Sequence, residues 1–165
     1  MNDDLKNPIQ NLTANIFVFI IYFGGIIGQY LAGHWADKHD LRKLYLIFYA
    51  AIIPFAFLTS IVHEMMLVPV TMAMMFFSLG MQPIENSLIA RLTPVRWRST
   101  AYGLKFILGL AVGSSAVAAV GYIQSNFGFP KVFLLSSINA FIVSILIAVL
   151  WFVSRKISLR NHVEE

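Results

Sequence analysis

Long apolar runs separated by short polar stretches make up almost the whole chain. The first run starts at Ala14 and meets no Asp, Glu, Lys or Arg until Asp37. As a helix rising about 1.5 Å per residue, Ala14 to Leu31 spans roughly 27 Å, comparable with the ~30 Å hydrocarbon core of a bilayer. The run ends in a dense charged loop containing Asp37, Lys38, Asp40, Arg42 and Lys43. Four further runs follow it, and the pattern predicts five helices at about 14–35, 41–62, 66–91, 99–123 and 131–154. Polar breaks separate them: His63-Glu64, the basic LTPVRWR of residues 92–98, and the neutral QSNFGFP of residues 124–130. Pro54 lies inside the second helix, and Pro69 and Pro83 inside the third. Each proline removes a backbone donor, which helices embedded in lipid accommodate. The pattern therefore describes an all-α membrane protein whose residues 1–165 form a single transmembrane domain.

Composition sharpens this by exclusion. Of 165 residues, 58% are hydrophobic and 12% charged, with mean hydropathy +0.74; a soluble domain carries about 25% charged residues. A soluble helical bundle needs polar outer faces that these runs lack. A membrane β-barrel needs alternating segments of about 10 residues, and these runs are longer and do not alternate. The net charge of +4 does not indicate a nucleic-acid partner, because the basic residues gather at the helix ends. With no cysteine, the chain has no disulfide or thiol chemistry. The opening MNDDLKNPIQN is acidic and polar, unlike the basic start of a signal peptide.

Charge also sets the expected orientation. One side of the predicted bundle collects nine basic residues: Lys38, Arg42, Lys43, Arg91, Arg96, Arg98, Arg155, Lys156 and Arg160. The other side has two, Lys6 and Lys131. Positive charge retained on the cytoplasmic side places the N-terminus outside and the C-terminus in the cytoplasm, in a plasma (inner) membrane. Trp35, Trp97 and Trp151 fall near the same interface, where indole rings prefer to sit.

The chemistry lies in the few polar residues inside the runs. Glu85 and Lys105 are ionisable groups well within helices, where charge is costly and is commonly paired or functional. Both stand ten residues from Val95, so two antiparallel helices joined there hold them at equal depth, either as an ion pair or as side chains reaching towards the interface. Gln82, Pro83 and Asn86 add a polar, locally opened patch to the third helix, and Gln29 and Asn139 are further candidates to line a cavity. Ser136 and Asn139 are expected to hydrogen-bond between helices. Gly109 and Gly113 form a face for close packing, as do Gly24 and Gly28, which are expected to face outwards towards further helices. Met72, Met74 and Met75 read as packing residues rather than metal ligands. His34 and His39 flank Asp37 without a converging ligand set, so no metal and no cofactor are expected. No nucleophile–base pair, HExxH or phosphate-cradling loop is present, and an enzyme is not expected.

Two stretches carry a resemblance. Gly33-His34-Trp35-Ala36-Asp37-Lys38-His39-Asp40-Leu41-Arg42-Lys43 resembles the cytoplasmic loop signature of the major facilitator superfamily, G-x-x-x-D-[RK]-x-G-[RK]-[RK]-[RK]. Gly33, Asp37, Lys38, Arg42 and Lys43 match, whereas Asp40 replaces the loop glycine and Leu41 a basic residue. About sixty residues on, Leu88 to Gly103 is similar to that family's penultimate cytoplasmic turn, matching at Pro94, Arg98, Ala101 and Gly103, with Arg91 where many members have an acid. The resemblance implies five transmembrane helices of one six-helix half. A weak loop signature and a fourth helix without the G-P pattern imply helices eight to twelve, the C-terminal half; helices two to six are the alternative.

The resemblance further implies a gating loop formed by Gly33, Asp37, Lys38, Arg42, Lys43 and Arg98, with Asp37 as an anionic latch. It implies a secondary carrier working by alternating access and completed by the missing N-terminal half. Glu85 and Lys105 are the candidates for proton coupling. The other reading is a truncated or stand-alone membrane protein that assembles without transporting. Membrane lipid and a small molecule are the expected partners; few interior charges favour a neutral, amphipathic or weakly charged solute.

Overall fold

A computed structural model describes the backbone of residues 3–161 and the side chains of residues 12–152. Five helices cover nearly all of it: α1 (Asp3–Lys38), α2 (Leu41–Ile61), α3 (Leu67–Leu92), α4 (Arg98–Phe127) and α5 (Phe129–Asn161). Each holds a stretch long and apolar enough to cross a membrane. Several outrun the hydropathy limits. The polar residues before Ala14 continue α1, and the neutral turn before α5 shrinks to Gly128, because backbone bonds propagate past the apolar run until a residue breaks them. Gly128 is that break, with φ +80°, a conformation that favours glycine. Lys6, Arg155, Lys156 and Arg160, four of the residues counted for orientation, have side chains outside the described residues.

The other joints are also written in local chemistry. Asp40 caps α2: its carboxylate accepts from the Arg42 backbone N–H at 3.0 Å, satisfying a first-turn donor that has no partner within the helix. Pro69 is the third residue of α3, not an interior one. In the first turn its missing N–H costs nothing. Pro94 precedes a 3₁₀ turn at Val95–Trp97 that reverses the chain into α4. There Arg98 Nε donates to the Thr93 carbonyl at 3.3 Å, and Arg96 lies over the Trp97 ring at 5.8 Å.

Packing order differs from chain order. α1 lies along α3, α3 along α2, and α2 along α5, while α4 touches α3 and α5 only sparsely. The core sits near the α1–α2 loop, where Ala32, Ala36, Leu41, Leu44, Phe48 and Ile84 are buried together. Phe48 is its centre, edge-on to Trp35 at 6.1 Å and to Phe77 at 5.4 Å, and stacked on Phe76 at 6.4 Å. Lipid tails are as apolar as these rings, so burial here is held by dispersion and shape rather than by escape from water.

The glycine expectations require correction. Gly24 and Gly28 do not face outwards; they are buried against α3. A Cβ at Gly24 would strike Met72, and one at Gly28 would strike the Phe76 backbone. Gly80 on α3 answers them, since its Cβ would come within 2.9 Å of the Gly28 carbonyl oxygen and 2.7 Å of the Phe48 ring. α1 and α3 thus meet backbone to backbone. The glycines with open surroundings are on α4: Gly103, Gly109, Gly113 and Gly121 have nothing within 4 Å of a built Cβ. Gly109 and Gly113 therefore close no contact among the described residues.

The expected bonds from α5 also shift by one position. Ser136 Oγ donates to the Val132 carbonyl of its own helix. Its neighbour Ser137 makes the bond between helices, reaching the Ile53 carbonyl of α2 at 3.1 Å. At about 100° per residue, this leaves Asn139 on the opposite side of α5, where it is exposed.

Candidate functional site

Polar side chains from three helices meet beside α3. The 3₁₀ turn at Val95–Trp97 returns the chain antiparallel, so residues equally far from it lie level. Lys105 Nζ sits 3.0 Å from Glu85 Oε2, with both side chains part-buried (24% and 33% exposed). The same ammonium donates to Asn86 Oδ1 at 2.7 Å, using two of its three donors. One turn back on α4, the Tyr102 hydroxyl donates to the Asn86 backbone carbonyl at 2.8 Å. Asn86 is thereby tied to α4 by two bonds, one to its backbone and one to its side chain. On the α1 side, Gln29 Nε2 donates to Gln82 Oε1 at 3.3 Å, a long and therefore weak bond.

Helical spacing explains the assembly. Gln82, Glu85 and Asn86 stand at i, i+3 and i+4, which places them on one face of α3; Tyr102 and Lys105 stand at i and i+3 on α4. On α2, Tyr45 and Tyr49 lie within the electrostatic reach of the Glu85 carboxylate and pack edge to face at 5.5 Å. Glu85 thus pairs with a cation from α4 and has two phenols of α2 in its surroundings. A lone charge at such depth costs about 2.5–3.5 kcal/mol on insertion scales, and mutual pairing offsets part of that. Tyr45, Tyr49 and Tyr102 escaped the sequence reading. Their i, i+3 and i+4 spacings to one another and to Lys105 were the available signal.

The loop residues gather at the end of the bundle where α1 meets α2. Asp37, Lys38, Arg42 and Lys43 are exposed there, and His39 Nδ1 lies 3.1 Å from the Trp35 carbonyl oxygen. Gly33 is not compelled by space, since a Cβ there would meet only Pro83, at 3.9 Å. Thus Glu85, Asn86 and Lys105 come together, Gln29 pairs with Gln82, Asn139 stays apart, and the exposed loop group lies at the end of the bundle.

Five apolar spanning helices carrying an ion pair and amides within their spans describe an integral membrane protein. Sequence comparison agrees: the family model of the Major Facilitator Superfamily matches residues 2–164. The chain belongs to the Major Facilitator Superfamily, a family of transporters rather than enzymes. No curated protein and no solved structure gives a match.

Proposed function

We propose that the chain is part of a secondary carrier that moves a small solute by alternating access, with Glu85 and Lys105 as its coupling pair. The observation that carries this reading is the 3.0 Å pair whose ammonium is also held by Asn86. Alternating access rocks one half of a carrier against the other, and that motion changes what surrounds the pair and so what each charge is worth. If the carboxylate takes a proton in one of the two states, solute movement and proton movement become linked. Few other charges lie within the spans, so the solute is neutral, amphipathic or weakly charged, and the chain has no enzymatic role.

The remaining parts follow the same reading. Gln29, Gln82 and Asn86 line the solute path. At the loop end, Asp37 is the anionic latch among Lys38, Arg42, Lys43 and Arg98, with Gly33 at its base, on the cytoplasmic side of a plasma membrane; the N-terminus is outside. The chain forms one transmembrane domain, completed by the other half of the carrier. The bareness of α4, none of whose apolar window is buried, supports a partner there.

The test is solute flux in membrane vesicles from cells producing the chain in its own genomic setting, under an imposed pH gradient. Wild type is compared with Glu85→Gln, Lys105→Met and the double variant over a panel of neutral and weakly charged solutes. Each single change is expected to lower flux at least tenfold, with the double change less damaging than either. No flux above vesicles lacking the chain overturns the carrier reading in favour of a membrane protein that assembles without transporting, whereas equal flux in all four keeps the carrier and overturns the coupling pair.

A further inference from the structure

A second polar feature lies towards the loop end; it shares Tyr45 with the surroundings of Glu85, and the coupling reading makes no use of it. There the first turns of α2, the last turns of α3 and the stretch of α5 from Ile147 to Trp151 frame a groove of about 360 Å³. That is within the range of small-ligand sites, about 300–1,000 Å³. Leu88, Leu92 and Leu150 make an apolar floor, while Arg42, Tyr45 and Trp151 bring the polar groups. Among the described residues, no acidic one lines it. Its polar side-chain groups include a guanidinium, a phenol hydroxyl and an indole N–H, all able to donate.

Three features select the occupant. The groove opens at a helix end, the level at which tryptophan and arginine meet lipid headgroups. Positive charge comes from the Arg42 guanidinium; the N-terminus of α2 beside it is already capped by the Asp40 carboxylate. The floor is apolar, which suits an acyl chain and gives no advantage to a free inorganic anion. Basic recesses between spanning helices are recognised sites for acidic headgroups. Arg42 carries five donors, so it can keep its contacts within the protein and still meet a phosphate.

We propose that this groove holds one anionic phospholipid, its phosphodiester on Arg42 beside Tyr45 and Trp151, and one acyl chain along Leu88, Leu92 and Leu150. The site depends neither on the transport reading nor on which side of the membrane this end faces.

The experiment is native mass spectrometry of the full chain, delipidated in mild detergent and titrated with phosphatidylglycerol or with phosphatidylcholine of the same acyl chains. Wild type is expected to retain one phosphatidylglycerol at least tenfold more tightly than phosphatidylcholine. Arg42→Gln should bring the two lipids level. Leu150→Trp, which fills the floor, should weaken phosphatidylglycerol at least tenfold, and it keeps the test independent of how Arg42→Gln folds. Leu110→Trp, on the exposed side of α4, should bind as wild type does. Equal retention of the two lipids by wild type overturns the proposal. So does undiminished phosphatidylglycerol in both groove variants, an equal loss in Leu110→Trp, or displacement of the lipid by equimolar inorganic phosphate.

Discussion

Replacing Gly28 by alanine adds one methyl group where α1 and α3 are closest. The new Cβ would land on the Phe76 carbonyl oxygen, 2.8 Å from its carbonyl carbon and 2.9 Å from its Cα. Carbon contacts are optimal at about 3.5–4.0 Å. The obstacle is backbone, which no rotamer can clear, so the helices must part by roughly 0.5–1 Å, a gap that forfeits a quarter to a half of each contact's attraction. Gly24, Gly25 and Gly80 lie on the same seam and lose contact together. Overpacked cores lose about 1–3 kcal/mol, and the gain in helix propensity from glycine to alanine returns up to ~1 kcal/mol. Gly28→Ala should therefore destabilise by about 1–2 kcal/mol. Gly24→Ala meets the flexible Met72 side chain and should cost less. Gly33→Ala, with Pro83 at 3.9 Å, should be neutral or slightly stabilising. Equilibrium unfolding in mixed micelles, followed by circular dichroism, measures the series. A Gly28→Ala protein at least as stable as Gly33→Ala would refute a backbone-to-backbone α1–α3 seam.

Other expectations follow from single contacts. In the same unfolding assay, Glu85→Gln and Lys105→Met should each destabilise more than their additive share of the double change, with a coupling of about 0.5–3 kcal/mol; additive values would mean that the pair contributes nothing. Asp40→Ala should cost about 1 kcal/mol through loss of the α2 cap, and Asp40→Gly only a few tenths, so equal losses would argue against a capping role. Cysteines placed at Val95 and Asn126, on opposite ends of the bundle, should differ towards an impermeant thiol reagent in intact cells. Labelling at Asn126 alone fits an outside N-terminus, and labelling at Val95 alone reverses the orientation.

Hydropathy was enough to find five spanning helices, because a helix crossing lipid must be apolar along its whole length and polar where it leaves. Glu85 and Lys105 were visible for the same reason, since charge stands out inside such runs. Their meeting was legible too, because a tight turn at Val95 makes equal sequence distance equal depth. Asp40, a departure from the loop signature, had a use that only the backbone revealed: its φ of −63° and ψ of 111° put the carboxylate over the first turn of α2.

Which face each helix turns inward was a matter for the tertiary structure alone. Gly24 and Gly28 were expected outside and lie inside; Gly109 and Gly113 carry the same spacing and stand open. In water, an apolar stripe against a polar one would have distinguished the two cases. In lipid both faces are apolar, and small residues permit close approach without saying to whom. The choice rests on shape: Gly28 and Gly80 are hollows at matching heights on α1 and α3, and the α4 glycines meet no matching hollow among the described residues.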